Sequence, residues 1–437
     1  MPDKARSAAL YALERCRRSG AWSAAVIDSA ADKYSLDRRD TAFAARLTMC
    51  VLENSALCDY YIGAYCSMPA KKLEPAVLDI LRAGVCQLIF MDKVPASAAV
   101  NTAGELCREN GYVRAAGMVN AVLRRVAENK SALPEIPGAG TSEYLAVKYS
   151  HPKWLADRLI DVKGYDFAES FLAADNSPAP LYLQVNTLKT DTGELSELIK
   201  ESGCECRKHP WLNDCLVLEN SGGVGQLPGF ADGLFYVQDP AAAASVNFAG
   251  LLPGMDVLDA CAAPGGKSFA AAIRMKNRGR ILSCDIHEKK LGLISAGASR
   301  LGIDIVETAA HDARKPHEGL FDAVIADVPC SGMGVIRKKP EIRRKAESEI
   351  SGLPAVQSAI LDSLSGSVKA GGVLLYSTCT VLIEENENVI EQFLAGHPDF
   401  VPDSFETWRG TANGMYTFWP QTDETDGFFV CRMRRHN

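Results

Sequence analysis

The chain of 437 residues is too long for one hydrophobic core, and the usual size of a domain predicts roughly two to four domains. A hydrophobic fraction of 47%, a charged fraction of 23% and only 14 cysteines exclude a membrane-embedded protein and a disulfide scaffold, and we expect a cytoplasmic protein with reduced thiols. The net charge of −7 argues against a positively charged coat for non-specific nucleic-acid binding, although a local basic patch is compatible with it.

Residues 1–131 predict an all-α domain. Apolar side chains recur at helical spacing over 43–61 and again over 77–89. A last helix over 113–128 has its apolar residues on one face and arginines on the other. These arginines fit a solvated face and an RNA contact equally well; they are Arg114, Arg124 and Arg125.

A stretch rich in Pro and Gly over 131–142 predicts a linker and a domain boundary. Residues 143–235 mix short helices with strand-like runs at 181–187 and 215–218, which predicts a small α+β domain. From 236 to 437 strands and helices alternate regularly, and this pattern is typical of a parallel, doubly wound α/β sheet.

A strand over 255–259 leads into a loop of small residues and then into an alanine-rich helix. Two glycines allow the backbone to approach a ligand, and the start of the helix offers free N–H groups. The loop does not match the phosphate-binding or dinucleotide-binding glycine patterns, and a lone Gly-Gly pair would be read as a structural turn. However, an aspartate follows each of three successive strands at one sheet edge, which a nucleoside-bearing cofactor explains better than chance. The predicted cofactor-binding residues are Cys261, Ala262, Ala263, Pro264, Gly265, Gly266, Lys267, Asp285, Asp312 and Asp327.

Two other strand-like runs end in cysteine-containing loops. The run over 373–376 is followed by Cys379, and the run over 321–326 is followed by Asp327 and Cys330. Because the carboxyl ends of parallel strands meet at one edge of a sheet, these three side chains are expected to converge on one crevice. A single cysteine at a strand end would be read as a buried structural thiol.

A dense basic segment follows the second cysteine loop. It is interpreted as a contact for RNA phosphates or, alternatively, as an exposed charged loop. Its cations are Arg337, Lys338, Lys339, Arg343 and Arg344. The histidines have no metal-ligand spacing, and the pair Cys204 and Cys206 lacks matching partners, so no metal site is predicted.

Three motifs together resemble the RNA cytosine-C5 methyltransferases of the NOL1/NOP2/Sun family. They are Asp259-Ala-Cys-Ala-Ala-Pro-Gly-Gly-Lys267, Asp327-Val-Pro-Cys330-Ser-Gly-Met-Gly334 and Tyr376-Ser-Thr-Cys379. The helical region, with Val119-Asn-Ala-Val-Leu-Arg124, resembles the NusB-like domain that precedes this core in the bacterial Sun/Fmu branch. The sequence departs slightly from the family pattern at Val328, Met333 and Ser268, and none of these changes removes a reactive group.

The resemblance implies S-adenosylmethionine as cofactor, a Rossmann-like catalytic core over 236–437 and an RRM-like middle domain. It implies that Cys379 adds to C6 of cytosine, which makes C5 nucleophilic, and that Cys330 assists release of the product. Asp327 would hydrogen-bond the base as an acid near its neutral form, with Lys267 helping to hold the site. Asp285 would bind the ribose, Asp312 the adenine side and the backbone of 261–267 the methionine part of the cofactor.

The same resemblance implies small-subunit (16S) rRNA as the partner, cytosine 967 as the target, and a monomer that does not bind membranes. Methylation of tRNA or of another rRNA site is the alternative activity. A DNA methyltransferase fits less well, because those enzymes use the Pro-Cys thiol as nucleophile and lack the Thr-Cys motif. A non-catalytic RNA-binding factor in ribosome assembly is the remaining alternative, although it has no need of both cysteines.

Overall fold

The computed structural model describes residues 3–19, 22–219 and 223–436. Contacts divide the chain into two compact units, one of residues 1–177 and 336–347 and the other of residues 178–335 and 348–437. Within the described ranges, no helix has the length and apolar character needed to cross a membrane.

The first unit is helical, as the apolar periodicity of residues 1–131 predicts. Buried side chains from its first seven helices, such as Leu13, Leu47, Leu81 and Val119, pack into one core. The unit contains α1 (Lys4–Ser19), α2 (Ser23–Tyr34), α3 (Arg38–Glu53), α4 (Ser55–Tyr65), α5 (Pro75–Ile89), α6 (Ala96–Glu109), α7 (Ala116–Glu128), α8 (Ser142–Lys148), α9 (Lys153–Lys163) and α10 (Tyr165–Asp175).

The contacts group α8, α9 and α10 with the first unit, whereas the sequence placed them in the middle domain. The physical reason is that this segment packs on the helical core: the Leu57 N–H donates to Ser150 Oγ at 3.1 Å, and the Tyr60 hydroxyl donates to the Glu135 carbonyl at 2.5 Å. The proline-rich stretch over 131–142 lies between α7 and α8.

The second unit begins with an antiparallel sheet flanked by a helix, as the α+β prediction implied. Its strand order is β2-β3-β1-β4. The Asp191 side chain caps the helix by accepting from the backbone N–H of Gly193 and Glu194. The elements are β1 (Leu181–Val185), α11 (Thr192–Glu201), β2 (Cys206–Lys208), β3 (Cys215–Leu218) and β4 (Phe235–Val237).

A large sheet with helices on both faces forms the rest of this unit, and it confirms the Rossmann-like core. Its strand order is β10-β14-β9-β8-β5-β6-β7, with β13 paired to β14. The strands are β5 (Asp256–Asp259), β6 (Arg280–Asp285), β7 (Val306–Ala310), β8 (Phe321–Asp327), β9 (Val368–Thr378), β10 (Phe400–Pro402), β13 (Met415–Phe418) and β14 (Phe428–Arg435), and β11 (Phe405–Thr407) pairs with β12 (Gly410–Ala412) beside it. The helices are α12 (Pro240–Phe248), α13 (Gly266–Arg274), α14 (Glu288–Leu301), α15 (Glu347–Ile350), α16 (Leu353–Ser365), α17 (Glu387–Gly396) and α18 (Pro420–Asp423).

The sheet is mixed, which corrects the expectation of an all-parallel sheet. Strands β5 to β9 pair in parallel, but β14 pairs antiparallel with β9, β10 and β13. In β8, Val324 and Ile325 face opposite sides and enter different buried clusters. Because both faces are covered, the parallel strands read as continuous apolar runs rather than as alternating ones.

Candidate active site

The carboxyl ends of the parallel strands meet at one edge and surround a cleft of about 480 Å³. Register explains the convergence: Asp327 at the end of β8 pairs with Ser377 near the end of β9, so the loops after both strands leave the sheet side by side. The cleft is lined by residues that include Cys261, Ala263, Asp285, Asp312 and Asp327. Of the remaining predicted loop residues, Ala262, Pro264 and Gly265 lie in the turn between β5 and α13, and Gly266 and Lys267 begin α13.

Close packing requires both glycines of the turn between β5 and α13. Gly265 has a φ of 111°, and a Cβ there would come 2.5 Å from the Phe269 ring. A Cβ on Gly266, the first residue of α13, would lie 2.8 Å from the Gln238 amide. The Phe269 ring and the Gln238 side chain therefore leave no room for a side chain at either position.

Asp285 organises the wall of the cleft. Only 8% of the residue is exposed, and its two carboxylate oxygens accept the backbone N–H of His287 at 2.8 Å and of Ala263 at 3.3 Å. A carboxylate has further lone pairs for the hydroxyl groups of a ribose. The cleft volume, the turn that contains Gly265 and the Asp285 carboxylate fit a nucleoside-bearing cofactor.

Asp312 and Cys261 also line the cleft, and the pKa values of their side chains are shifted in opposite directions. Hydrogen bonds from the Arg314 side chain and backbone hold the pKa of Asp312 at about 2, so Asp312 is an anion that Arg314 fixes in place. Burial raises the pKa of Cys261 far above its ordinary value, and this thiol is therefore neutral and unreactive.

Cys330 and Cys379 are half-buried and form no disulfide, and their sulfur atoms lie 3.2 Å apart. The hydrogen bond with Cys379 and burial, reinforced by the charges of Cys379 and Glu385, raise the pKa of Cys330 well above its usual value. Either sulfur can be the donor of the hydrogen bond that joins the two thiols.

The two cysteine loops are tied together beyond the sulfur pair. The Gly334 N–H donates to the Cys379 carbonyl at 3.0 Å, and Ser331 Oγ lies 2.8 Å from Thr380 Oγ1. The Gly427 N–H also donates to the Gly334 carbonyl at 2.8 Å, and a Cβ on Gly334 would come 1.9 Å from the Gly427 carbonyl oxygen. This close approach explains the small residues in both segments.

Lys267 and Asp327 form an ion pair at the same edge of the sheet. Lys267 Nζ lies 2.6 Å from one Asp327 oxygen, and the Ser377 hydroxyl donates to the other at 2.9 Å. Lys267 is 6% exposed, and its ammonium also lies 5.0 Å from the centre of the Phe428 ring. Lys267 and Ser377 together therefore fix the position of the Asp327 carboxyl group.

Sequence reasoning assigned no role to Glu385 and did not consider Gln357. Both are buried, and Glu385 Oε2 accepts the Ser331 N–H at 2.9 Å and Gln357 Nε2 at 2.8 Å. The signal for Glu385 was its place in the acidic run directly after the Thr-Cys motif. Gln357 lies on α16, and no sequence pattern distinguishes it.

A fully buried carboxylate, that of Asp259, lies at the end of β5, immediately before the glycine turn. Its Oδ2 accepts from the Ser268 hydroxyl at 2.6 Å, and Ser268 Oγ lies 2.7 Å from Ser283 Oγ. Burial raises the pKa of Asp259 to about 7, aided by the charges of Asp327 and Asp285 and opposed by Ser268 and Lys267.

The basic segment differs from the exposed patch that its sequence suggested. Arg343 and Arg337 are each only 7% exposed, so neither is an exposed phosphate contact. Within the first unit, Arg343 donates to the carbonyls of Glu53, Tyr149 and Asp175 and to the side chain of Asn176. Lys339 and Arg344 are exposed and Lys338 is half-buried.

The described part of the chain contains no group of three or more His, Cys, Asp or Glu side chains arranged to hold a metal ion.

Three family models match successive parts of the chain. The NusB family matches residues 3–128, the ferredoxin-like domain of RsmF/B-like methyltransferases matches 151–225, and the 16S rRNA methyltransferase RsmB/F family matches 251–434. These matches agree with the helical N-terminal region, the small antiparallel sheet and the large mixed sheet.

Relatives extend the similarity over the whole chain. The probable ribosomal RNA small subunit methyltransferase B of Bacillus subtilis is 33% identical over 98% of this chain and 98% of its own length. The ribosomal RNA small subunit methyltransferase B of Erwinia tasmaniensis is 32% identical, with 98% of each chain covered. The crystal structure of PH0851 superposes with a TM-score of 0.82 at 27% identity, covering 100% of this chain and 99% of that one. This chain belongs to the ribosomal RNA small subunit methyltransferase B family.

Proposed function

We propose that this protein forms 5-methylcytosine in 16S rRNA, with cytosine 967 as the target, through a covalent bond between Cys379 and the base. The observation that carries the proposal is the pair of cysteine sulfurs 3.2 Å apart, which form no disulfide and lie on the loops that follow β8 and β9, at the sheet edge that also holds the Lys267–Asp327 ion pair. Relatives named as small-subunit rRNA methyltransferases support 16S rRNA as the substrate.

S-adenosylmethionine is the cofactor of this family, and it supplies the electrophilic methyl group. The residues that would hold it are Asp285 for the ribose, Asp312 for the adenine side and the backbone of 261–267 for the methionine part. Asp285, Asp312, Cys261 and Ala263 line the cleft that fits a nucleoside, which supports this assignment. The family models and relatives support this cofactor.

In the proposed reaction, Cys379 donates a sulfur electron pair to C6 of cytosine, which makes C5 nucleophilic toward the methyl group. Asp327, fixed by Lys267 and Ser377, accepts a hydrogen bond from the base, for which the exocyclic amino group is the suitable donor. Transfer of the methyl group to C5 would leave the cofactor as a neutral thioether. Loss of the C5 proton to water, with cleavage of the C6–sulfur bond, would then restore the aromatic ring and the Cys379 thiolate. Cys330 assists this last step, since a neutral thiol that donates to the departing sulfur stabilises it as a thiolate.

The target base must leave any stack to reach these groups. We further propose that Lys339 and Arg344, the exposed cations of the basic segment, contact RNA phosphates.

The experiment is bisulfite mapping of transcribed 16S rRNA incubated with S-adenosylmethionine and wild-type, Cys379→Ala or Cys330→Ala protein. Cys204→Ala, which removes a half-buried thiol outside the cleft, is the control. We expect one methylated cytosine with wild type and with the control, none with Cys379→Ala, and a trapped RNA adduct with Cys330→Ala.

Methylation that survives Cys379→Ala but not Cys330→Ala would reverse the roles of the two cysteines. If wild type methylates tRNA and leaves 16S rRNA unmodified, the substrate is wrong. If it binds RNA without methylating any of these substrates, the protein is a binding factor.

A further inference from the structure

A buried carboxylate lies behind the Pro-Cys loop and contacts that loop directly. Glu385 is 2% exposed and ends the short helix Ile383–Glu385, which follows the Thr-Cys loop. Its Oε2 accepts the backbone N–H of Ser331, the residue after Cys330, at 2.9 Å. The carboxylate is therefore bound to the peptide group on the carboxyl side of Cys330.

Gln357 completes the arrangement on the other side of Cys330. Its side-chain amide, with no exposed surface, donates to Glu385 Oε2 at 2.8 Å and also to the carbonyl of Pro329, the residue before Cys330, at 3.0 Å. One pair of buried side chains thus holds the main chain on both sides of Cys330.

The pair is not arranged for maximal hydrogen bonding. Among the described residues, Oε1 of Glu385 and Oε1 of Gln357 are buried without a hydrogen-bond partner. A buried acceptor without a partner costs roughly 1–3 kcal/mol, and its presence in a folded protein calls for an explanation. Holding the loop requires only Oε2, so the negative charge itself needs a separate reason.

That reason is the electrostatic effect on Cys330. After the hydrogen bond to Cys379, burial and the charge of Cys379, the charge of Glu385 is a further cause that raises the pKa of Cys330. A negative charge beside one of two sulfurs that share a proton favours the arrangement in which that sulfur keeps the proton.

We propose that Glu385 is a positioning residue that fixes the Cys330 loop and keeps the shared proton on Cys330, leaving Cys379 as the only nucleophile of the pair. The inference rests on the proposed function for the roles of the two sulfurs. It adds to that function the residue that makes two neighbouring cysteines chemically unequal.

The test is the pH dependence of alkylation by iodoacetamide, measured separately for Cys330 and Cys379 by peptide mass spectrometry on the full-length protein without RNA. Glu385→Gln removes the charge and keeps an oxygen that accepts from Ser331 and Gln357. Glu384→Gln, the same change one residue earlier at a half-buried position, is the matched control. Glu385→Asp keeps the charge.

We expect the midpoint of Cys330 alkylation to move down by roughly one pH unit in Glu385→Gln, and to stay at the wild-type value in Glu384→Gln and Glu385→Asp. A midpoint unchanged in folded Glu385→Gln, or moved equally by Glu384→Gln, would overturn the proposal. A higher rate at every pH with the same midpoint would also overturn it, because that result indicates greater exposure of the thiol.

If Glu385→Gln does not fold, Glu385→Asp decides the question. A wild-type midpoint for Cys330 supports the role of the charge, and a lowered midpoint refutes it. Since alkylation needs neither RNA nor cofactor, this result is independent of whether the protein methylates 16S rRNA.

Discussion

Asp259 makes the stability of the catalytic core depend on pH, and the structure gives the sign and size of the effect. Burial raises its pKa to about 7 in the folded protein, from the ordinary value of 3.8. Between these two pKa values the folded protein holds a proton on Asp259 that the unfolded chain has lost. The contribution of Asp259 to the free energy of unfolding is therefore complete below pH 3.8, decreases as the pH rises and is lost above about pH 7. Each pH unit between these values costs about 1.4 kcal/mol, and because the loss levels off near the folded pKa, about 2 kcal/mol is lost between pH 5 and pH 7.

Asp259→Asn removes this titration, because an amide carries no charge at either pH. The free energy of unfolding of wild type minus that of the variant should therefore fall by about 3 kcal/mol between pH 5 and pH 8. The measurement is urea unfolding at several pH values, followed by tryptophan fluorescence. Taking the difference at each pH cancels the titration of the other groups.

Asp256→Asn is the matched control, because Asp256 lies in the same strand and its side chain is 35% exposed. Its difference from wild type should change much less over the same range. A flat difference for Asp259→Asn would refute the reasoning, since it would mean that Asp259 is ionised in the folded protein at pH 5.

The remaining predictions concern the ion pair and the basic segment. Lys267→Met should lower the methylation rate by about a hundredfold, because it leaves Asp327 without the ammonium that orients it; a rate within threefold of wild type would contradict this role. Arg343→Gln should destabilise the first unit by about 3 kcal/mol in urea unfolding, because carbonyl groups lose a buried donor, and an unchanged midpoint would exclude this role. Arg344→Gln and Lys339→Gln should leave the free energy of unfolding unchanged. Each should reduce the slope of the logarithm of the RNA-binding constant against the logarithm of salt concentration by about one counterion. An unaltered slope in both variants would exclude both residues from the RNA interface.

Local sequence patterns were sufficient to predict the fold class of each region of the chain. Helical periodicity over 43–61 and 77–89 reflects one buried face per helix, and the apolar runs of β8 and β9 reflect strands covered on both sides. The motifs also placed Asp285, Asp312 and Asp327 at one sheet edge, because the ends of parallel strands meet by topology alone.

The same patterns do not predict whether β14 runs parallel or antiparallel to β9. A strand covered on both faces has the same apolar composition whether it runs parallel or antiparallel to its neighbour. Its hydrogen bonds to β9 decide the direction, and they make the sheet mixed.

Local charge patterns also mislead where a distant part of the chain supplies the environment. The run from Arg337 to Lys345 looks like one exposed patch, but Arg343 is buried, and carbonyl groups of α3, of α10 and of the residue after α8 accept its hydrogen bonds. Asp327 and Lys267 are likewise distant in the sequence, and only the tertiary structure brings their charged ends to 2.6 Å.

The sequence by itself therefore determined the fold class of each region and the set of reactive groups at the sheet edge. Only the tertiary structure decided how those groups are charged and paired. The physical reason is that hydrogen bonding and desolvation depend on neighbours that are distant in the chain, as Glu385 and Gln357 are from Cys330.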